Sequence, residues 1–210
     1  MFIEPFADIS PTGPGTRTGA TPQYIDPLDR MVLIADGPVT TTLAGCIGEP
    51  IVARRVRQAG PARLGTLLAA AGPWWHADEE LLGLTPLERV IARRAVLSGA
   101  RSRVPYVLAE ALVVADRLPG MIADRLLLAD ASLDRLLVAA RVEAHRELID
   151  VVAVRADDAG DHLDTARRAS LIRRTSATVI RGRTVAAVTE WLVPGRLSGM
   201  RVARGRAIAG

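Results

Sequence analysis

The pattern of apolar and polar positions predicts two strand hairpins in the second half of the chain. Residues 87–97 and 104–115 both have the pattern of a strand, and the six residues between them include the glycine expected of a hairpin turn. Residues 169–180 and 184–193 form a second such pair around a short Arg-Gly-Arg turn. Residues 49–58 alternate between apolar and polar and predict one further strand.

Helical signals fall between these strands. A first helix is predicted from its N-cap, Asp26, to Gly37, with a proline at its first position, and a second helix begins at Pro38. Residues 118–140 have helical spacing, whereas residues 141–155 are compatible with either a helix or a strand. Hairpins with inserted helices predict a single α+β domain built on a mainly antiparallel sheet.

The 210 residues fit one such domain, which we place at residues 26–195. Residues 1–25 are rich in Pro, Gly and Thr without periodicity and predict a flexible lead-in, and residues 196–210 predict a basic, flexible tail. The N-terminus lacks the features of a signal peptide, and no apolar run approaches the ~20 residues that span a bilayer. These features predict a cytoplasmic protein that has no membrane partner.

The composition excludes several classes of enzyme. All 27 basic residues are arginine, so Schiff-base chemistry, pyridoxal phosphate and P-loop phosphate binding are excluded, because each of them needs a lysine. The single cysteine, Cys46, and three dispersed histidines argue against a metal site, and no cofactor is expected. The net charge of +4 comes from arginines without interleaved aromatic residues, which favours small anions over nucleic acid as partners.

Two charges stand in apolar rows of the predicted strands. Side chains alternate along a strand, so Glu190 shares a face with Val188 and Leu192, and Arg93 also lies among apolar residues. The two charges could meet as a buried salt bridge or lie at the sheet rim, or they could stand apart across a cavity and clamp a small ligand. Alanines at positions 95, 186 and 187 would leave room for such a cavity. The spacing does not choose between these interpretations.

Five segments carry a resemblance to a known family. They are, in chain order, DRMVLIADGPVTTTL, RVIARRAVLSG, YVLAEALVVADRLP, SLDRLLVAA and VAAVTEWLVP. Together they cover about residues 27–194, and in this order they resemble the chorismate pyruvate-lyase family, including its mycobacterial-type branch that forms 4-hydroxybenzoate. The resemblance implies a chorismate lyase-like α+β fold, a monomer, and the conversion of chorismate to 4-hydroxybenzoate and pyruvate without metal or cofactor.

The resemblance also implies roles for individual residues. Arg93 falls where the family binds the product carboxylate, and Glu190 falls where a glutamate meets the ring hydroxyl, so these two are the candidate catalytic residues. Val39, Thr40 and Leu133 fall on positions that line the ligand. The sequence departs from the family after Thr40, where Thr41 replaces a commonly basic residue, and the lost cation predicts weaker binding of the enolpyruvyl carboxylate.

Two mechanisms and two other functions stay open. The C4 hydrogen of chorismate can pass internally to the enol methylene, with the protein acting by orientation, or Glu190 can act as a base. A non-catalytic domain that binds aromatic acids, related to effector domains of transcription regulators, is the main alternative. The roughly 26 residues before the matched region are too few for a helix-turn-helix domain, which favours the enzyme. A structural subunit with a buried Arg93–Glu190 bridge would have no pocket.

Overall fold

A computed structural model describes residues 25–35, 37–71, 79–128 and 132–199 of the chain. Apart from residue 25 and residues 196–199, the lead-in and the tail predicted at the two ends lie outside the described residues. Within the described part of the chain, no helix is long and apolar enough to cross a membrane.

The domain is built on one six-stranded sheet in which every pairing is antiparallel. Its strands are β1 (Ile51–Arg63), β2 (Arg89–Gly99), β3 (Pro105–Val114), β4 (His145–Arg155), β5 (Ser170–Ile180) and β6 (Arg183–Leu192). The strand order is β1-β2-β3-β6-β5-β4, so β1 and β4 form the two edges. This architecture confirms the predicted α+β domain with an antiparallel sheet.

Both predicted hairpins are present. The β5–β6 hairpin closes through Arg181 and Gly182, which both have positive φ angles, of 50° and 71°. Two consecutive positive φ angles are what a tight two-residue hairpin turn requires, and glycine adopts this conformation without steric cost. The segment that the sequence left open, residues 141–155, contains strand β4, which pairs with β5 along its whole length.

Six α-helices cover the sheet within the described residues. They are α1 (Pro27–Ile34), α2 (Val39–Ile47), α3 (Leu64–Ala71), α4 (Ile122–Leu128), α5 (Leu133–Ala139) and α6 (Asp157–His162). The Asp26 side chain accepts a hydrogen bond from the Leu28 N–H, 2.9 Å away, and so caps the start of α1 as the sequence predicts. Two short 3₁₀ turns, Glu79–Leu82 and Ala115–Arg117, lie between α3 and β2 and between β3 and α4.

The helices divide between the two faces of the sheet. Helices α1, α2, α4 and α5 pack on one face, which we call the front face, against strand residues that include Ile91, Val107 and Val188. Helices α3 and α6 and the first 3₁₀ turn pack on the opposite face. Because alternate residues of a strand point to opposite faces, both faces carry an apolar core.

The chain stays folded beyond β6. Residues 196–199 form a helical turn in which Leu197 is buried. The Arg196 guanidinium donates hydrogen bonds to the carbonyl oxygens of Pro105 and Leu163, both at 2.6 Å. These four residues therefore belong to the packed domain rather than to a flexible tail, and the remainder of the predicted tail, residues 200–210, lies outside the described residues.

Candidate functional site

A cavity of about 80 Å³ lies between the front face of the sheet and the helices α2, α4 and α5. All five residues that the sequence singled out line it: Arg93 from β2, Glu190 from β6, Val39 and Thr40 from α2, and Leu133 from α5. Strands and helices that are distant in sequence thus bring the candidate residues together. The roles assigned to them remain predictions.

Small side chains in the sheet create the room for this cavity. Ala95 and Ala109 are register partners on β2 and β3, Arg93 is opposite Ala111, and all four side chains line the cavity. Of the three alanines that the sequence suggested, only Ala95 is a lining residue. Ala187 was wrongly assigned, because it alternates away from Glu190 and packs in the core of the opposite face.

Arg93 extends from the sheet toward helix α4. Its side chain is buried, and its Nη1 donates a hydrogen bond to the carbonyl oxygen of Leu126, 3.2 Å away. This contact holds the guanidinium against one wall of the cavity. A planar guanidinium with several N–H donors is suited to binding a carboxylate with two parallel hydrogen bonds.

Glu190 is 1% exposed and lies between two other arginines. Its Oε1 is 3.3 Å from Nη1 of Arg146, and its Oε2 is 3.6 Å from Nη1 of Arg174. Among the described residues, Glu190 forms ion pairs with these two arginines and not with Arg93. The hypothesis of a structural subunit needed an Arg93–Glu190 bridge and no pocket, and the arrangement of this site contradicts it.

Arg146 and Arg174 differ in what they contact besides Glu190. Arg146 donates from Nη2 to Asp134 Oδ2, 2.9 Å away, on helix α5. Burial alone would lower the pKa of Arg146, but the carboxylates of Glu190 and Asp134 outweigh it and raise the pKa above its ordinary value. Burial lowers the pKa of Arg174, whose Nη atoms donate to the carbonyl oxygens of Val32 and Ala35 at the end of α1.

The cavity is lined by two guanidinium groups and two carboxylates. Arg93 and Arg146 supply the guanidinium groups, Asp134 and Glu190 supply the carboxylates, and Arg174 contacts Glu190 but is not a lining residue. Guanidinium donors can bind a ligand carboxylate, and the carboxylates can accept a hydrogen bond from a ligand hydroxyl. Among the residues that the structure describes, no group of three or more His, Cys, Asp or Glu side chains could hold a metal ion.

Sequence reasoning missed Arg174 and Arg146. Arg174 alternates with Ile172 and Ser176 on β5, which is the same signal that drew attention to Glu190. Arg146 lies in the segment that could not be assigned to a helix or a strand. Thr41, where the resemblance expects a cation, is exposed on α2 and is not a lining residue.

Comparison with known proteins identifies the fold but no family. No model of a known protein family matches the sequence, and no curated protein matches it. Among solved structures, the effector domain of PhnF from Mycobacterium smegmatis matches with a TM-score of 0.56 and 16% identity over 78% of this chain and 92% of that one. A further structure, of PhnF from the same organism, gives the same TM-score with 15% identity over 78% of this chain and 66% of that one.

A second structure supports the same conclusion. The ligand-binding domain of a putative GntR-family transcriptional regulator from Bordetella bronchiseptica matches with a TM-score of 0.50 and 17% identity, over 68% of this chain and 82% of that one. At these identities, the likeness establishes the fold that the chain shares with these domains.

Proposed function

We propose that this protein is a chorismate pyruvate-lyase, which converts chorismate to 4-hydroxybenzoate and pyruvate in the front-face cavity. The observation that carries the proposal is the placement of Arg93 and Glu190. They line one buried cavity from different strands, where Arg93 donates to the carbonyl oxygen of Leu126 and Glu190 pairs with Arg146 and Arg174. In this proposal Arg93 binds the ring carboxylate, and Glu190 accepts a hydrogen bond from the C4 hydroxyl.

The reaction requires little from the protein beyond holding chorismate in the right orientation. The C4 hydrogen moves to the methylene carbon of the enolpyruvyl group while the C3–O ether bond breaks, and the ether oxygen becomes the keto oxygen of pyruvate. The ring becomes aromatic in the same step, so no external acid, base, oxidant or cofactor is needed. Holding the reactive conformer in a fixed geometry accounts for the catalysis.

Arginines supply the electrostatic part of this mechanism. Negative charge grows on the departing enolpyruvyl oxygen as the ether bond breaks, and buried guanidinium groups stabilise such charge more strongly than water does. Both oxygens of Glu190 already face guanidinium groups, those of Arg146 and Arg174. We therefore assign Glu190 to holding the ring hydroxyl rather than to removing the C4 hydrogen.

A second candidate function is non-catalytic binding of an aromatic acid. It is favoured by two fold neighbours, one described as the effector domain of PhnF and the other as the ligand-binding domain of a GntR-family transcriptional regulator. The same cavity, with Arg93 as the carboxylate anchor, would serve this function without turnover.

One experiment separates the two functions. The purified protein is incubated with chorismate in the absence of added metal or cofactor, and pyruvate and the aromatic product are followed by chromatography, while 4-hydroxybenzoate is titrated in parallel. Equal amounts of pyruvate and 4-hydroxybenzoate would support the lyase. Unchanged chorismate with tight binding of 4-hydroxybenzoate would favour the binding domain, and neither turnover nor binding would contradict both.

A further inference from the structure

A second cavity, of about 90 Å³, adjoins the first one. We call the first the inner cavity and the second the outer cavity. Asp134, Arg146 and Thr178 line both. The rim of the outer cavity includes Val138 and His145, which are exposed. The outer cavity therefore lies between the buried site and solvent.

The junction between the cavities carries two polar groups suited to an anion. The Arg146 side chain is only 6% exposed and reaches Glu190 with Nη1 and Asp134 with Nη2. The Thr178 hydroxyl is buried and has no hydrogen-bond partner among the described residues. Buried polar groups are nearly always hydrogen-bonded, so a hydroxyl without a partner that lines a cavity points to a ligand group.

We propose that Arg146 and Thr178 form a second carboxylate subsite and that the outer cavity takes the acidic side arm of the substrate. This inference rests on the proposed function. In chorismate the enolpyruvyl ether is on C3, next to the C4 hydroxyl. With that hydroxyl at Glu190, a substituent on the neighbouring carbon lies beside Arg146, whose Nη1 is 3.3 Å from Glu190.

The number of carboxylates in the substrate supports the same assignment. With the ring carboxylate at Arg93, the second carboxylate of a dicarboxylate needs a further cationic contact. Arg146 provides it when Nη2 moves from Asp134 to the ligand, because its planar guanidinium carries several donors. Asp134 is 19% exposed and lines the outer cavity, so water can solvate it when that ion pair opens.

The test compares two ligands that differ in one carboxylate. These are 4-hydroxy-3-(carboxymethoxy)benzoate and 4-hydroxy-3-methoxybenzoate, which share the ring acid, the hydroxyl and the ether. Their Kd values are measured by calorimetry on the full chain, and the ratio of the two values defines the preference for the second carboxylate. We expect the wild-type protein to bind the dicarboxylate about tenfold or more tightly, as charge-assisted hydrogen bonds provide.

Two variants test whether Arg146 and Thr178 produce the preference for the dicarboxylate. Arg146→Gln should lower it about tenfold, and Thr178→Val, which keeps the side-chain shape, should lower it roughly threefold with little change in binding of the monocarboxylate. Thr178→Ser should restore it, because serine retains the hydroxyl. Arg63→Ala, at an exposed position on β1, is the matched control and should leave both Kd values unchanged.

The outcomes separate the subsite from the proposed function. If the monocarboxylate binds but the preference is absent in the wild-type protein, or is unchanged in both variants, the subsite is contradicted while the function stands. If Arg146→Gln raises the Kd of both ligands by the same factor, Arg146 acts only through Glu190 and the proposed subsite is again wrong. If neither ligand binds the wild-type protein, the proposed function fails and the subsite fails with it.

Discussion

At the scale of single residues, Glu190 holds two buried guanidinium groups as well as lining the cavity. Replacing it with alanine would leave Arg146 and Arg174 close together without this shared counterion. We expect Glu190→Ala to lower the free energy of unfolding by about 3 kcal/mol, as the loss of one partner of a buried ion pair does. Glu190→Gln keeps the side-chain shape and should lower the free energy of unfolding by less than Glu190→Ala does.

Urea unfolding followed by circular dichroism measures this effect. Arg63→Ala, an exposed control, should change the free energy of unfolding by less than about 0.5 kcal/mol. A Glu190→Ala variant as stable as this control would show that Glu190 does not hold the two arginines in place.

Arg93 is the residue on which binding should depend most. Arg93→Met keeps much of the buried apolar stem and removes the guanidinium, so the fold should persist while the ligand carboxylate loses its anchor. We expect the Kd for 4-hydroxybenzoate to rise at least about tenfold, because charge-assisted hydrogen bonds are each worth about 1.5–3 kcal/mol. Calorimetric titration measures it, and an unchanged Kd would remove Arg93 from the site.

The cavity-lining residues were predicted in two ways: Arg93 and Glu190 from strand alternation, and Val39, Thr40 and Leu133 from the family resemblance. Glu190 and Arg93 stood out in the sequence as charges in apolar rows, and in the structure both line the inner cavity. The pairing of Glu190 with Arg174 and Arg146 could not be predicted, because it depends on which strands are neighbours in the sheet. Arg174 is the register partner of Glu190 only because β5 lies beside β6, and Arg146 reaches it from the edge strand β4.

At the scale of elements, Arg174 ties helix α1 to the sheet. Its Nη1 donates to the carbonyl oxygen of Val32 at 2.9 Å, and its Nη2 donates to that of Ala35 at 2.5 Å. The last carbonyl groups of a helix lack partners within the helix, so these bonds stabilise the end of α1.

Arg174→Met should therefore loosen α1 specifically. We expect a loss of about 3 kcal/mol of unfolding free energy relative to the wild-type protein. Amide exchange should speed up more in α1 than in α6, which packs on the opposite face of the sheet. Hydrogen exchange followed by mass spectrometry measures both helices in one experiment. Unchanged exchange in α1 would show that its end is held by other contacts.

Strands and helices were predictable where the pattern that specifies them lies within the segment itself. The two hairpins were identified because each consists of adjacent strands with a glycine-containing turn. Residues 141–155 stayed ambiguous because their pattern suits both a helix and an edge strand, and pairing with β5 decides for the strand. The packed turn at residues 196–199 was missed, since its contacts are to residues distant in sequence.

At the scale of the whole molecule, Glu88 joins several segments and should govern acid stability. Hydrogen bonds from Arg117 lower the pKa of Glu88 to about 2, and Arg183 also donates to its carboxylate at 2.9 Å. Arg117 in turn donates to the carbonyl oxygens of Leu82 and Thr184, both at 2.6 Å. The two 3₁₀ turns, Glu79–Leu82 and Ala115–Arg117, and the start of β6 are thus linked through Glu88 and Arg117.

The direction of the pH effect follows from the lowered pKa. A carboxylate whose pKa is lower in the folded state contributes stability that is complete above its unfolded value, 4.5, and is lost as the pH falls toward 2. Glu88→Gln should therefore be less stable than the wild-type protein at pH 7, and the difference should shrink between pH 4.5 and pH 2. A difference that is constant with pH, measured by urea unfolding, would contradict this.

The central claim is that the cavity between Arg93 and Glu190 turns over chorismate. The most direct measurement is the rate of pyruvate and 4-hydroxybenzoate formation from chorismate by the wild-type protein, by Arg93→Met and by the control Arg63→Ala. The claim predicts equal amounts of both products from the wild-type protein and the control, with a loss of at least about a hundredfold in kcat/KM for Arg93→Met. No product from the wild-type protein, or equal rates in all three, would contradict it.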